Sequence, residues 1–157
     1  MRRLPSATRR CSLSLRSEPR WLTPDEVIEL NQIVVAETGE PFDVLMPGSV
    51  EGAVDRPRNY WLYDEQDAVS LAVTLLFAIA DGHCFEQGNK RTGYEAALMF
   101  LIRNGYMYDG PDEEVFARFI TDVVAHKRTI GDFEEAFRPY IVALPIEDDE
   151  TEWDVPY

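Results

Sequence analysis

The chain has 157 residues, 45% of them apolar and 11% aromatic, which suffices for one domain with a real core. Its formal charge of −14, from 29 acids against 15 lysines and arginines, repels a phosphate backbone over most of the surface and argues against nucleic acid as a direct partner. Two distant cysteines, Cys11 and Cys84, give neither a disulfide framework nor a metal-binding pair, and no apolar run reaches the roughly 18 residues of a membrane span; a soluble, cytoplasmic protein is expected.

Charge is unevenly spread along the chain. Residues 1–20 hold six arginines and one acid, Glu18, a net +5 against −19 for the remainder. This Arg- and Ser-rich opening shares its composition with organelle transit peptides, but a basic extension without fixed structure is the simpler reading. The domain itself is expected over 21–144, followed by an acidic, solvated tail at 145–157, PIEDDETEWDVPY.

The first helix opens at LTPDE: Thr23 is the N-cap, Pro24 the first helical residue and Glu26 the capping-box partner. Val27, Ile28, Leu30, Ile33 and Val34 follow at helical spacing, and Gly39 ends the run. From Glu40 to Tyr63, Pro41, Pro47, Pro57, Gly48 and Gly52 predict a long irregular connection, of the kind that is often functional. Only Asn59, Tyr60, Trp61, Leu62 and Tyr63 have strand-like composition there, so a short extended flap is expected at that place.

Asp64 then caps a run from Glu65 to Ala80 that is apolar on nearly every side, the pattern of a buried central helix. A second such helix is predicted from about Lys90 to Asn104, stopped by Gly105. After Gly110-Pro111, Asp112 caps a helix with Val115, Phe116, Phe119, Ile120, Val123 and Val124 on one face. A last helix begins near Ile130, with Phe133, Ala136, Phe137 and Ile141 inward and Pro139 limiting it. The fold class is all-α, compact, with a motif loop between two buried central helices.

That loop, His83 to Asn89, gathers the chemistry. A helix N-terminus collects free backbone N–H groups and a positive dipole end, so Asn89-Lys90-Arg91-Thr92 reads as an anion cradle. Two cations in a first helical turn oppose the dipole unless an anion joins them. Gly88 allows a tight turn and close approach of a ligand, and Phe85 is expected to plug the loop into the core. His83 is the side chain that can take a proton from a hydroxyl near neutral pH, so a base beside a phosphate cradle suggests phosphoryl or nucleotidyl transfer. Glu95 reads as an ordinary helix-surface residue, Cys84 as a passive small one, and His126, beside Lys127 and Arg128 at a helix end, as structural. For Arg56 and Arg58, contact with a ligand and simple solvation both stand.

The segment HCFEQGNKRT resembles the signature of the Fic/Doc family, HxFx(D/E/N)(G/A)N(G/K)R, with the NKRT ending of its death-on-curing (Doc) branch. The likeness extends upstream through GSVEGAVDRPRNY and downstream through EAALMFLIRNGY, over about residues 22–143. It implies a helical domain with a flap that uses ATP and Mg2+ to modify a hydroxyl of a target protein. Doc-like members transfer the terminal phosphate, with a translation factor as target, and are restrained by an antitoxin protein; most Fic enzymes transfer AMP. Lys90, where AMP-transferring members usually have glycine, favours phosphate, as does Tyr94 in place of their second arginine. By the resemblance His83 is the general base, Gly88, Asn89, Lys90 and Arg91 hold the phosphates, and Asn59 to Tyr63 form the target-positioning flap. The family's metal-binding acid is replaced by Gln87, with Glu86 beside it as the alternative ligand. A neutral amide can ligate Mg2+ without offsetting phosphate charge. A Fic-fold binding module without turnover is therefore the third reading, after kinase and AMP transferase. The inhibitory pattern (S/T)xxxE(G/N) of many Fic proteins is absent from the sequence.

Overall fold

The computed structural model describes residues 13–145. Among these, six helices form the body: α1 (Pro24–Thr38), α2 (Pro47–Leu62), α3 (Ala68–Ala80), α4 (Asn89–Arg103), α5 (Glu113–Val124) and α6 (Ile130–Phe137). Two three-residue strands, β1 (Tyr106–Tyr108) and β2 (Ile141–Ala143), pair antiparallel with Met107 opposite Val142. The expected all-α class holds, and none of these helices is long and apolar enough to cross a membrane.

Composition explains the centre. In α3, eleven of thirteen residues are buried, since only Ser70 and Thr74 interrupt its apolar surface, and the other helices pack around it. α4 runs back against it at very close range. A Cβ on Gly93 would lie 2.5 Å from the Leu76 carbonyl oxygen, so the absence of a side chain there sets how near the two helices come. An aromatic cluster seals the other side, with Phe116, Phe133 and Phe137 at centroid separations of 5.3–5.6 Å.

α1 starts as expected, with the Thr23 hydroxyl accepting from the Glu26 N–H at 3.3 Å and Gly39 ending the helix at φ 70°. Ile33, expected inward, is 58% exposed, because the helix turns Asn31, Val34 and Val35 to the core instead. Val115 of α5 likewise faces solvent, while Phe116, Phe119, Ile120 and Val123 are buried. The N-cap of α3 is Asp67 rather than Asp64. Its carboxylate accepts from the Ser70 N–H at 2.9 Å, whereas Asp64 occupies a left-handed turn at φ 82°. The last helix stops at Phe137; Ile141 does point inward, but as a strand residue.

Two expectations are overturned. The stretch 40–63 is largely helical: Val50, Ala53, Val54 and Pro57 lie at i, i+3, i+4 and i+7 and form the buried face of α2, with Pro47 at its start. Asn59, Tyr60, Trp61 and Leu62 are the last turn of that helix and Tyr63 is its cap, so no extended flap exists there. They also stand at the start of α3, the full length of that helix, about 20 Å, from the motif loop. The second concerns the basic extension, whose residues 13–20 lie against the domain. The Leu15 N–H donates to the Gln66 carbonyl at 2.8 Å, Ala68 N–H donates to Leu13, Leu13 and Leu15 pack on the core, and Pro19 is buried. Cys11 and the four arginines of residues 1–12, like the acidic run after Pro145, fall outside the described residues.

Candidate active site

The motif loop leaves α3 through Asp81 and Gly82 and is fixed by its own side chains. Phe85 is buried to 1% exposure, as expected, and anchors the loop in the core. The Asn89 side chain clasps the backbone of Phe85 on both sides: its Oδ1 accepts from the Phe85 N–H at 3.0 Å and its Nδ2 donates to the Phe85 carbonyl at 2.8 Å. Asn89 thus shapes the loop with its amide, and what it turns toward an anion is its backbone N–H in the first turn of α4.

Asn31 of α1, fully buried, supports the loop from below. Its Nδ2 donates to the Gln87 carbonyl at 2.8 Å and to the Thr92 hydroxyl at 3.1 Å. Gly88 caps α4 at φ 75°, and a Cβ there would meet Val35, Asn31 and Val34 at 3.1–3.3 Å. The left-handed backbone favours glycine, and any side chain there would also press on these residues of α1. The sequence reading missed Asn31; its one signal was a polar residue on the apolar side of an amphipathic helix, between Val27 and Val34.

The loop's outer side is an extended segment, though not the predicted one. Val44 bridges Phe85 antiparallel, Leu45 N–H donates to the Cys84 carbonyl at 2.9 Å and Glu86 N–H to the Asp43 carbonyl at 3.0 Å. Phe42, Leu45 and Met46 are exposed beside this pairing.

His83, Glu86, Gln87, Gly88, Asn89, Lys90 and Arg91 all line one open cavity of about 440 Å³, walled on its other side by Ala117, Ile120, Thr121 and Val124 of α5. None of Asn59–Tyr63 does. His83 is exposed and holds a left-handed backbone, φ 49°, which costs a side-chain-bearing residue energy and is the kind of strain found at functional positions. Lys90 is exposed and enters no ion pair among the described residues. Arg91 is ion-paired with Glu40 and donates to the Thr38 hydroxyl at 3.3 Å and the Val34 carbonyl at 3.3 Å. The Thr38 hydroxyl, and after it Arg91, hold the Glu40 carboxyl below the usual range. Glu95 is half-buried rather than a free surface group. Burial, then Glu113 and Glu37, push its carboxyl up. Burial also keeps the Cys84 thiol protonated and passive.

The donor set fits Mg2+ only as a site shared with phosphates. Glu86 and Gln87 are both exposed on the cavity, and no group of three or more acids, histidines or cysteines suited to a metal occurs among the described residues. Mg2+ commonly takes one or two protein oxygens and completes its shell with water and phosphate, so this sparse set is compatible with it.

Chemically the cavity offers an imidazole, a helix N-terminus and a cation, with Ala117, Ile120 and Val124 as apolar lining. Residues 21–101 match the model of the Fic/DOC family. The chain is also similar to the protein kinase doc of Escherichia phage P1, with 35% identity over 95 residues that cover 59% of this chain and 75% of that protein. A match over more than half the chain, which includes the loop whose geometry builds this cavity, places the protein in the Fic/DOC family.

Proposed function

We propose that this chain is a Doc-like toxin that transfers the terminal phosphate of ATP to a hydroxyl of a target protein, and that an antitoxin restrains it. The observation that carries the reading is the position of His83, exposed and held in a strained conformation on the rim of the cavity that the α4 N-terminus and Lys90 also line. Similarity to a protein named as a kinase supports the choice of phosphate.

In this reading the first-turn N–H groups of α4 and Lys90 hold the triphosphate, and the α5 wall takes the base. His83 accepts the proton of the target hydroxyl as its oxygen bonds to the γ-phosphorus, and the bond to the β-phosphate oxygen breaks to release ADP. Glu86 and Gln87 are the protein oxygens that would hold Mg2+, which offsets phosphate charge when bound. The extended segment Asp43–Leu45, lying against the loop, takes over the target-positioning task that the sequence assigned to Asn59–Tyr63.

The test is label transfer from ATP in lysate and to candidate translation factors, with γ- and α-phosphate label in parallel and a His83→Ala control. His83-dependent γ label is the expected result. Label from the α-phosphate alone would sink phosphate transfer in favour of AMP transfer. Gln87 favours a second reading, a binding module without turnover, because it removes a carboxylate from the cavity. No label with either nucleotide, and none gained by Gln87→Asp, is the outcome that reading requires.

A further inference from the structure

We propose that a second cavity, at the C-terminal end of α5, is the docking site for an acidic segment of the target protein, which Arg56 and Arg128 hold. The proposal rests on the phosphate-transfer reading above and names how that reading's substrate is gripped.

This cavity, of about 330 Å³, has the buried Phe77 and Val123 in its lining, with Arg56 of α2, Arg128 and the exposed Ile130. Val124 lines both it and the motif-loop cavity, so the two are neighbours along α5. Asp81, also in its lining, precedes His83 by two residues, a span of at most about 7 Å. A segment seated here has only a short way to reach the imidazole.

Charge sets the occupant. The chain has a net charge of −14, yet neither Arg56 nor Arg128 has a carboxylate within ion-pair distance among the described residues. Asp81 is the one acid of the lining against two arginines, which leaves an excess positive charge. Asp132, close to Arg128 along the chain, accepts the Thr129 N–H at 3.0 Å instead. A helix dipole accounts for a cation just past α5, but not for Arg56 in the middle of α2. Arg58, two residues on, lies over the Trp21 ring at 5.9 Å. Arg56 has no such task inside the protein.

The chain after α5 is shaped to present these groups. Arg128 lies over the Phe119 ring at 3.7 Å. His126 N–H donates to the Val123 carbonyl and Lys127 N–H to the Asp122 carbonyl, the pattern that ends a helix on a left-handed residue, usually glycine. After α1 and α4 the chain does use Gly39 and Gly105, at φ 70° and 88°; after α5 it uses His126, at φ 60°. Both histidines of the chain thus hold a left-handed backbone, one on each cavity. The acidic surface beyond the cavity repels an extended polyanion such as nucleic acid, whereas a few carboxylates set among apolar side chains match two guanidinium groups and an apolar floor.

The test follows binding of a short fluorescein-labelled peptide of glutamate, leucine and glycine to the full chain by anisotropy, and in parallel the transfer of γ label to lysate proteins. Arg56→Gln with Arg128→Gln is expected to weaken peptide binding at least about tenfold. Lys127→Gln, which removes a charge from the same connection but outside the lining, should leave it unchanged. In the transfer assay the double variant should need about tenfold more lysate protein for half its maximal rate, with its ATP requirement and urea midpoint those of the wild type. An equal loss from Lys127→Gln, displacement of the peptide by an oligonucleotide of the same charge, or a raised ATP requirement would each overturn the proposal. Wild type that labels proteins while the double variant labels them equally well removes the docking site alone. Wild type that binds the peptide through the two arginines but transfers no label removes the phosphate-transfer reading and leaves a site for acidic peptides.

Discussion

Two arginine–carboxylate pairs stand at opposite ends of the α3–α4 pair, and they are built differently. At the start of α3, Arg138 grips Asp67 through both oxygens, at 2.8 and 3.0 Å, and pairs with Glu134 as well. Asp67 also caps the helix and accepts the Leu13 N–H at 3.1 Å, so its lone pairs are filled and it is only 13% exposed. At the other end, Arg91 and Glu40 are about a third exposed and face an open cavity. An exposed pair contributes under about 1 kcal/mol, whereas breaking a buried bidentate one leaves a charge stranded and costs several. The molecule therefore concentrates its polar stabilisation at the end away from the loop and leaves the loop's end open to a ligand.

The sharpest way to test that contrast is a pair of single changes. His83→Ala is expected to lower label transfer by about 10²–10⁴-fold, the usual contribution of a general base, with the unfolding midpoint little changed. Asp67→Ala should do the reverse: about 3 kcal/mol of stability lost in urea titration, with transfer per folded molecule retained. The same residue gives the contrast a pH dependence. Burial raises the Asp67 carboxyl, but Arg138 and the Ser70 and Leu13 N–H groups outweigh it and leave it lowered. A carboxylate lowered on folding adds stability above its unfolded value near 3.9, and that stability disappears as pH falls through the folded value. Wild-type stability should thus fall below about pH 4 more steeply than that of Asp67→Asn.

A smaller effect is expected midway between the ends. Gly93→Ala places a methyl on the Leu76 carbonyl and should cost about 1–3 kcal/mol while spreading α3 from α4, so transfer falls with stability; a neutral outcome would mean the helices can part freely. The smallest concerns Glu95, whose carboxyl is raised by burial and by Glu113 and Glu37. A carboxyl raised on folding favours the folded state at low pH and burdens it once pH exceeds the folded value. Glu95→Gln should accordingly raise the melting midpoint at pH 8 and leave it unchanged near pH 4, a difference scanning calorimetry can read.

The elements legible in sequence were those whose signals are local. α1 announced itself by Thr23, Pro24 and Gly39, α3 by an unbroken apolar run, and the loop by residue types packed into ten positions. α2 was hidden because Gly48, Gly52 and Pro57 outweighed the periodicity of Val50, Ala53 and Val54, and its apolar face only shows its worth once α3 lies against it. β1 and β2 went unseen because each has three residues and its partner lies more than thirty residues away. At the site, His83, Gly88, Lys90 and Phe85 stand where expected, but Asn31 lies in α1 and Glu40 just past its end, and only the tertiary fold removes their distance from the loop. That the Asn89 amide closes on the Phe85 backbone was not legible either, since a side chain's hydrogen-bond partner cannot be read from spacing alone.

The left-handed backbone at His83 puts one position under two opposing pressures. Glycine would relax that conformation by about 1 kcal/mol or more, so selection for stability alone would erase the histidine. On the phosphate-transfer reading proposed above, chemistry is what retains an imidazole there. In a large set of random variants scored separately for abundance and for toxicity, His83→Gly should therefore rank among the most abundant and the least toxic at once, and few other positions of the chain should separate the two scores so widely.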